Sequence, residues 1–221
     1  MRPSGATVGV TILFFGDFYV AASNALVRCP AKVHHACAAA LDIAATARGF
    51  TSGASVGDAQ CGDLGPVGTR AFGVVGPVVN EAMLLQRMNV TYGTRHLISG
   101  AMFREAKLDF VVRARDVIRF TRAVRDGNEE GAVAILALMG RAAEAGDEWM
   151  YVLDEGDMVK EFNAIVVDMA AASSDRSKVA VADFIETHKQ SEIESVKQIL
   201  EDCQRIATKM ATPQEPESFF H

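Results

Sequence analysis

Between Ser55 and Met88 the chain reads SVGDAQCGDLGPVGTRAFGVVGPVVNEAMLLQRM. Glycines stand at Gly57, Gly62, Gly65 and Gly68; a short β-branched run, Gly76-Pro77 and an apolar segment from Val79 follow. Glycine supplies the positive φ that tight turns need. The stretch therefore predicts strand, tight turn, strand, turn and helix. Asn80 sits at the mouth of that helix, beside exposed helix amides, where a polar side chain can face a ligand. A glycine-rich turn is common in itself, so its flanks decide its meaning.

Upstream, Thr7–Phe15 (TVGVTILFF) and Phe18–Ser23 (FYVAAS) are rich in β-branched and aromatic residues and flank Gly16-Asp17, which predicts a hairpin. Cys29–Arg48 is Ala-rich, with Val33, Cys37, Ala40, Leu41 and Ala44 at helical spacing, Pro30 at the start and Gly49 as a stop. Phe50–Val56 and Phe72–Val75 are predicted strands, with Asp63-Leu64 leading into the glycine-rich turn. Val79–Met88 is a predicted helix, and Tyr92-Gly93 leads to a strand at His96–Ser99. Ala101–Ala106 follows as a small helix. Phe110–Phe120 is expected to be extended with a polar break at Arg113–Asp116. Asp126-Gly127-Asn128 is a turn, and Ala132–Met139 a closing strand.

After Gly140 the character changes to three helical segments: Asp147–Ala172, Arg176–Lys189 and Glu192–Lys209. The last carries Ile193, Val196, Leu200, Cys203 and Ala207 on one face, with Ser191 and Glu194 as a capping box. Pro213 and Pro216 end the order. Strands alternating with helices predict an α/β domain over 7–140, a helical appendage over 147–210 and a disordered tail over 211–221.

With 221 residues, a net charge of −6 and no basic patch interleaved with aromatics, nucleic acid is not an expected partner. No apolar run approaches the roughly 18 residues of a membrane span. A soluble, cytoplasmic protein is expected. The four cysteines lack CxxC spacing and read as reduced, mostly buried small hydrophobes. His34-His35 are neighbours on a helix, do not share a face and read as helix surface.

GFTSGASVGDAQCGDLG, FGVVGPVVNEAMLLQRM and TYGTRHLISGAMFREA, in this order, resemble the second half of a class III nucleotidyl cyclase catalytic domain. TILFFGDFYVAAS resembles the family's metal-binding hairpin. The likeness covers roughly residues 8–139. The helical tail beginning DEWMYVL is similar to tails that follow cyclase domains in trypanosomatid proteins. The resemblance implies a ferredoxin-like cyclase-type sandwich with a C-terminal helical appendage, and a site shared across a dimer. In that family the 3′-hydroxyl of ATP or GTP attacks its own α-phosphate and pyrophosphate leaves. Two Mg²⁺ or Mn²⁺ ions, held by two Asp residues, activate the hydroxyl and neutralise the phosphates.

Position by position, the resemblance makes Asp17 the hairpin metal ligand and Asn80 the catalytic residue that orients the ribose. Gly57, Gly62 and Gly65 fall in the nucleotide-binding turn. Arg119 and Arg122 are candidates for the phosphate-binding cation, out of register with the family's Lys. Four residues after Asn80, where the family has its catalytic Arg, this chain has Leu84. An apolar side chain does not stabilise a pentavalent phosphorane. Arg87, a turn further on, is out of register. The base-reading positions fall on Thr11 or Leu13 and on Gly73, and the usual Gly-Asp before the helix is Gly76-Pro77. No acidic residue precedes Asp17, so the partner metal Asp is missing. The family's first strand and its two following helices have no counterpart, and an incomplete sheet needs cover.

The expected function is a degenerate cyclase homology domain in cyclic-nucleotide signalling, a non-catalytic regulatory or dimerisation partner of another cyclase-type domain in a homodimer or heterodimer. Mg²⁺ or Mn²⁺ would accompany any bound nucleotide. One alternative is the active half of a composite adenylate or guanylate cyclase. The other is a helical interaction protein working through its tail.

Overall fold

The computed structural model describes residues 10–15, 18–124, 127–142, 153–171, 175–189 and 194–211. Among them the chain is mixed α/β, with parallel and antiparallel strand pairs and six helices. It divides into two compact units, Met1–Phe110 and Val111–His221.

In the first unit, β1 (Val10–Phe15) and β2 (Phe18–Ser23) pair antiparallel, with Val10 opposite Ser23 and Phe15 opposite Phe18. The expected hairpin is present, while its tip, Gly16-Asp17, lies outside the described residues. Helix α1 (Lys32–Thr46) buries Val33, Cys37 and Ala40 along one face. Past its end Gly49 takes φ +78°, as the stop signal requires. Strands β3 (Ser52–Ala54), β4 (Gln60–Leu64) and β5 (Ala71–Val75) follow, then helix α2 (Pro77–Tyr92), β6 (His96–Ser99) and helix α3 (Gly100–Asp109). Gly93 closes α2 in the left-handed conformation.

Strands β3 and β6 run parallel, Ser52 against His96 and Ala54 against Ile98, with α2 packed on both as the crossover. The β4–β5 pair is inserted ahead of that helix. The core holds Leu85 of α2, Leu97 and Ile98 of β6, and Met102, Phe103 and Ala106 of α3. Gly53 makes the close packing possible. A Cβ there would sit 2.2 Å from both the Ala82 carbonyl oxygen and the Gln86 amide nitrogen, so the α2 backbone lies directly on β3.

The second unit contains β7 (Phe110–Val124) from Val111 onward and its hydrogen-bonded neighbour β8 (Gly127–Arg141). Helices α4 (Leu153–Ala171), α5 (Asp175–His188) and α6 (Glu194–Ala211) complete it. The three expected tail helices are therefore present, and the two long strands group with them. Helix α4 packs on β8 and buries Met158, Phe162, Val166 and Met169. Phe162 stacks on Phe184 of α5 at 5.7 Å. Leu200 and Cys203 of α6 are buried, as the amphipathic pattern predicts, together with Ile199 and Ile206. Ser191, Ile193 and the tail 212–221 lie outside the described residues.

Asp63-Leu64, which lead into the glycine-rich turn, close β4, and Gly62 lies directly opposite Gly73 of β5, so the stretch from Ser55 runs strand, turn, strand, turn and helix. One expectation is corrected. The polar break at Arg113–Asp116 does not exist, because β7 runs through it. Val112, Ala114, Asp116 and Ile118 are buried in strict alternation, and the intervening Arg113 and Arg115 reach Asp202 of α6 at 3.5 Å each. Arg205 joins this cluster, donating to Asp202 Oδ1 and to the Arg115 carbonyl, both at 2.6 Å. Strand alternation and a shared carboxylate keep the charged stretch extended.

On α4, Asn163 bonds the β7 backbone like a neighbouring strand. Its Oδ1 accepts from the Ala114 N–H at 2.6 Å, and its Nδ2 donates to the Val112 carbonyl at 2.7 Å. All three residues are within the second unit, and all three groups are buried.

Candidate functional site

In a parallel strand–helix–strand unit, the carboxyl ends of both strands and the amino end of the crossover helix lie on the same side. Ligands of open α/β sheets bind there. In this chain Ser55 follows β3 and Ser99 ends β6, and their Oγ atoms are 3.1 Å apart. Ser55 Oγ donates to Glu81 Oε1 of α2 at 2.9 Å. Ser99 is buried and precedes α3, but its hydroxyl faces Ser55 and makes no bond to an α3 amide. Two hydroxyls, a carboxylate and the amino ends of two helices thus converge.

Helix α2 opens on Gly76 (φ +153°) and Pro77, with no side-chain cap and no acidic residue in its first turn. Its first-turn amides and dipole favour an anionic or hydroxyl-bearing group. Asn80 is exposed on that turn. Gly57, in the loop after β3, lies against the same turn, where a Cβ would touch the Val78 side chain at 3.4 Å. An open depression of about 430 Å³ lies beside it, lined by Asp58, Ala59, Gln60, Val75, Gly76 and Pro77.

The expected site residues do not all meet here. Gly57 and Asn80 come to the same end of α2. Gly62 is inside β4, and Gly65 (φ +111°) turns the β4–β5 ribbon beside Thr69. Arg119 and Arg122 are on β7 in the second unit, and their side chains, like Asp17, lie outside the described residues. Leu84 is half-buried and Arg87 exposed, both on α2. Among the described residues, no three His, Cys, Asp or Glu side chains group as a metal site, and no helix is long and apolar enough to cross a membrane.

Sequence reasoning missed Ser55, Glu81 and Ser99. The signal was present: a serine follows β3, another ends β6, and Glu81 follows Asn80 directly.

The opposite end of the unit is closed by polar bonds. Asn89 is buried and donates to the Ser52 carbonyl at 2.9 Å, while the Thr94 hydroxyl donates to its Oδ1 at 2.9 Å. Gln86 donates to Thr51 Oγ1 at 3.0 Å. His96 is buried with Nδ1 2.9 Å from Ser52 Oγ. Burial, reinforced by the Arg95 charge, lowers its pKa below the ordinary histidine value. The fold therefore favours the neutral imidazole. Its contribution is present above the unfolded pKa of about 6.5 and is lost as pH falls through the lower folded pKa. Thermal melts from pH 7.5 down to 5 should show the wild type losing stability, with a visibly shallower fall for His96→Gln. Equal slopes would contradict this assignment.

Compared with protein-family models and with curated proteins, the chain matches none.

Proposed function

We propose that the chain is a degenerate class III nucleotidyl cyclase homology domain, with an incomplete ferredoxin-like sheet, that works in cyclic-nucleotide signalling. It acts as a regulatory or dimerisation partner of a second cyclase-type domain. One observation carries this reading. The β3–β4–β5–α2–β6–α3 order brings the resembling segments together around one helix, with Asn80 exposed on its first turn and half-buried Leu84 one turn later.

Cyclisation builds negative charge on the α-phosphate, and a cation at the position of Leu84 would be needed to offset it. Leu84 supplies none. Asn80, the amino end of α2 and the hydroxyls of Ser55 and Ser99 retain the means to bind without that cation. ATP or GTP, with Mg²⁺ or Mn²⁺, is the ligand class the resemblance implies. Asp17 would be the metal ligand on this chain, and no catalytic step is assigned to it.

In such a partner the α2 amino end is an interface. Hydrogen–deuterium exchange of the full chain, with and without the catalytic domain of a competent class III cyclase, tests this. Added cyclase should slow exchange over residues 77–84. Unchanged exchange there at saturating cyclase would reject the interface.

A further inference from the structure

Away from that site, the segment joining β2 to α1 holds a thiol and an imidazole together. Cys29 Sγ lies 3.3 Å from Nδ1 of His35, on the first turn of α1. In the tautomer with its proton on Nε2, the imidazole accepts the thiol proton. The Cys29 amide donates to Asn24 Oδ1 at 2.9 Å, and Asn24 takes φ +64°, so the loop holds the sulfur in place. The Cys29 residue is 7 % exposed, whereas His35 faces solvent. Packing alone does not require an imidazole on this sulfur.

The remaining cysteines give internal comparisons. Burial pushes the Cys37 and Cys203 thiols up to about 12, which leaves them inert. Cys61 is exposed on β4 and makes no imidazole contact among the described residues.

We infer that Cys29 and His35 form a nucleophilic thiol–imidazole pair that reacts with small hydroperoxides. His35 takes the thiol proton, and the sulfur attacks one peroxide oxygen. The O–O bond breaks as the S–O bond forms. The departing hydroxide takes the proton back from His35, so that thiol and hydrogen peroxide give sulfenic acid and water.

The test treats the folded full chain with hydrogen peroxide for graded times and quenches with catalase. The chain is then unfolded in guanidinium, and the remaining thiols are alkylated with iodoacetamide. Peptide mass spectrometry follows each cysteine separately. Cys29 should lose its free thiol at least about tenfold faster than Cys61, the order of effect expected of a positioned base. His35→Gln should bring Cys29 down to the Cys61 rate while leaving Cys61 unchanged. His35 is exposed, so the variant keeps the fold, and the wild-type comparison within one molecule needs no variant. Oxidation of Cys29 no faster than Cys61, or an unchanged Cys29 rate in folded His35→Gln, would overturn the inference.

Discussion

Replacing Gly53 with alanine is expected to destabilise the first unit by about 3 kcal/mol or more. The added Cβ would meet the Ala82 carbonyl oxygen and the Gln86 amide nitrogen at 2.2 Å, and the Leu85 carbonyl carbon at 2.8 Å. All three are helix backbone, so no side-chain rotation relieves the clash. Either β3 or α2 must move, and movement breaks the Asn89 bond to the Ser52 carbonyl and the Gln86 bond to Thr51. Gly57→Ala is the matched control. Its Cβ makes ordinary contact with Val78, and the change should stay within about 1 kcal/mol. Urea unfolding of the two variants separates a glycine demanded by packing from one that is not. Equal effects would show that β3 and α2 are not so close.

Asn163→Leu is expected to cost about 2–5 kcal/mol, because it strands the Ala114 N–H and the Val112 carbonyl without partners inside the second unit. A side chain of similar size fills the space, so the loss reports hydrogen bonds more than a cavity. Asn163→Asp sharpens the reading. Its carboxylate accepts from Ala114 but faces the Val112 carbonyl, so burial and repulsion would raise its folded pKa. A raised folded pKa stabilises at low pH and loses that contribution as pH rises through it. Denaturant midpoints for Asn163→Asp should therefore fall, relative to wild type, between pH 4 and pH 7. A pH-independent difference would mean that the side chain reaches water.

Periodicity and punctuation made much of the architecture legible. β2 and β6 fall at their expected residues, and α1 stays inside its Ala-rich run and ends before Gly49. The bounds of β4 were not legible, because four of its five residues are exposed and the remaining one is Gly62, so no buried face marks it. In β7 the charges disguised a readable alternation. What no local pattern announces is the counter-ion for Arg113 and Arg115, since Asp202 is 87 residues from Arg115. Asn163, in an amphipathic helix, likewise gives no sign that its partner is strand backbone.

The candidate site was half visible. Glycine chemistry and the resemblance pointed to Gly57 and Asn80, which lie at the same end of α2, Gly57 against Val78 and Asn80 exposed on the first turn. Ser55, Glu81 and Ser99 belong to different elements, and only the parallel pairing of β3 and β6 brings them together. Tertiary register decides such a cluster, and register is not written in any one segment.

The central claim is that this chain modulates a cyclase without being one. The most direct measurement is cyclic nucleotide formed from ATP and from GTP with Mn²⁺, by the purified full chain alone and mixed with a competent class III cyclase catalytic domain. The account predicts no product from the chain alone and an altered rate for the competent domain when the chain is added. Product from the chain alone that Asp17→Ala abolishes would contradict it, as would a competent domain whose rate the chain leaves unchanged at every ratio.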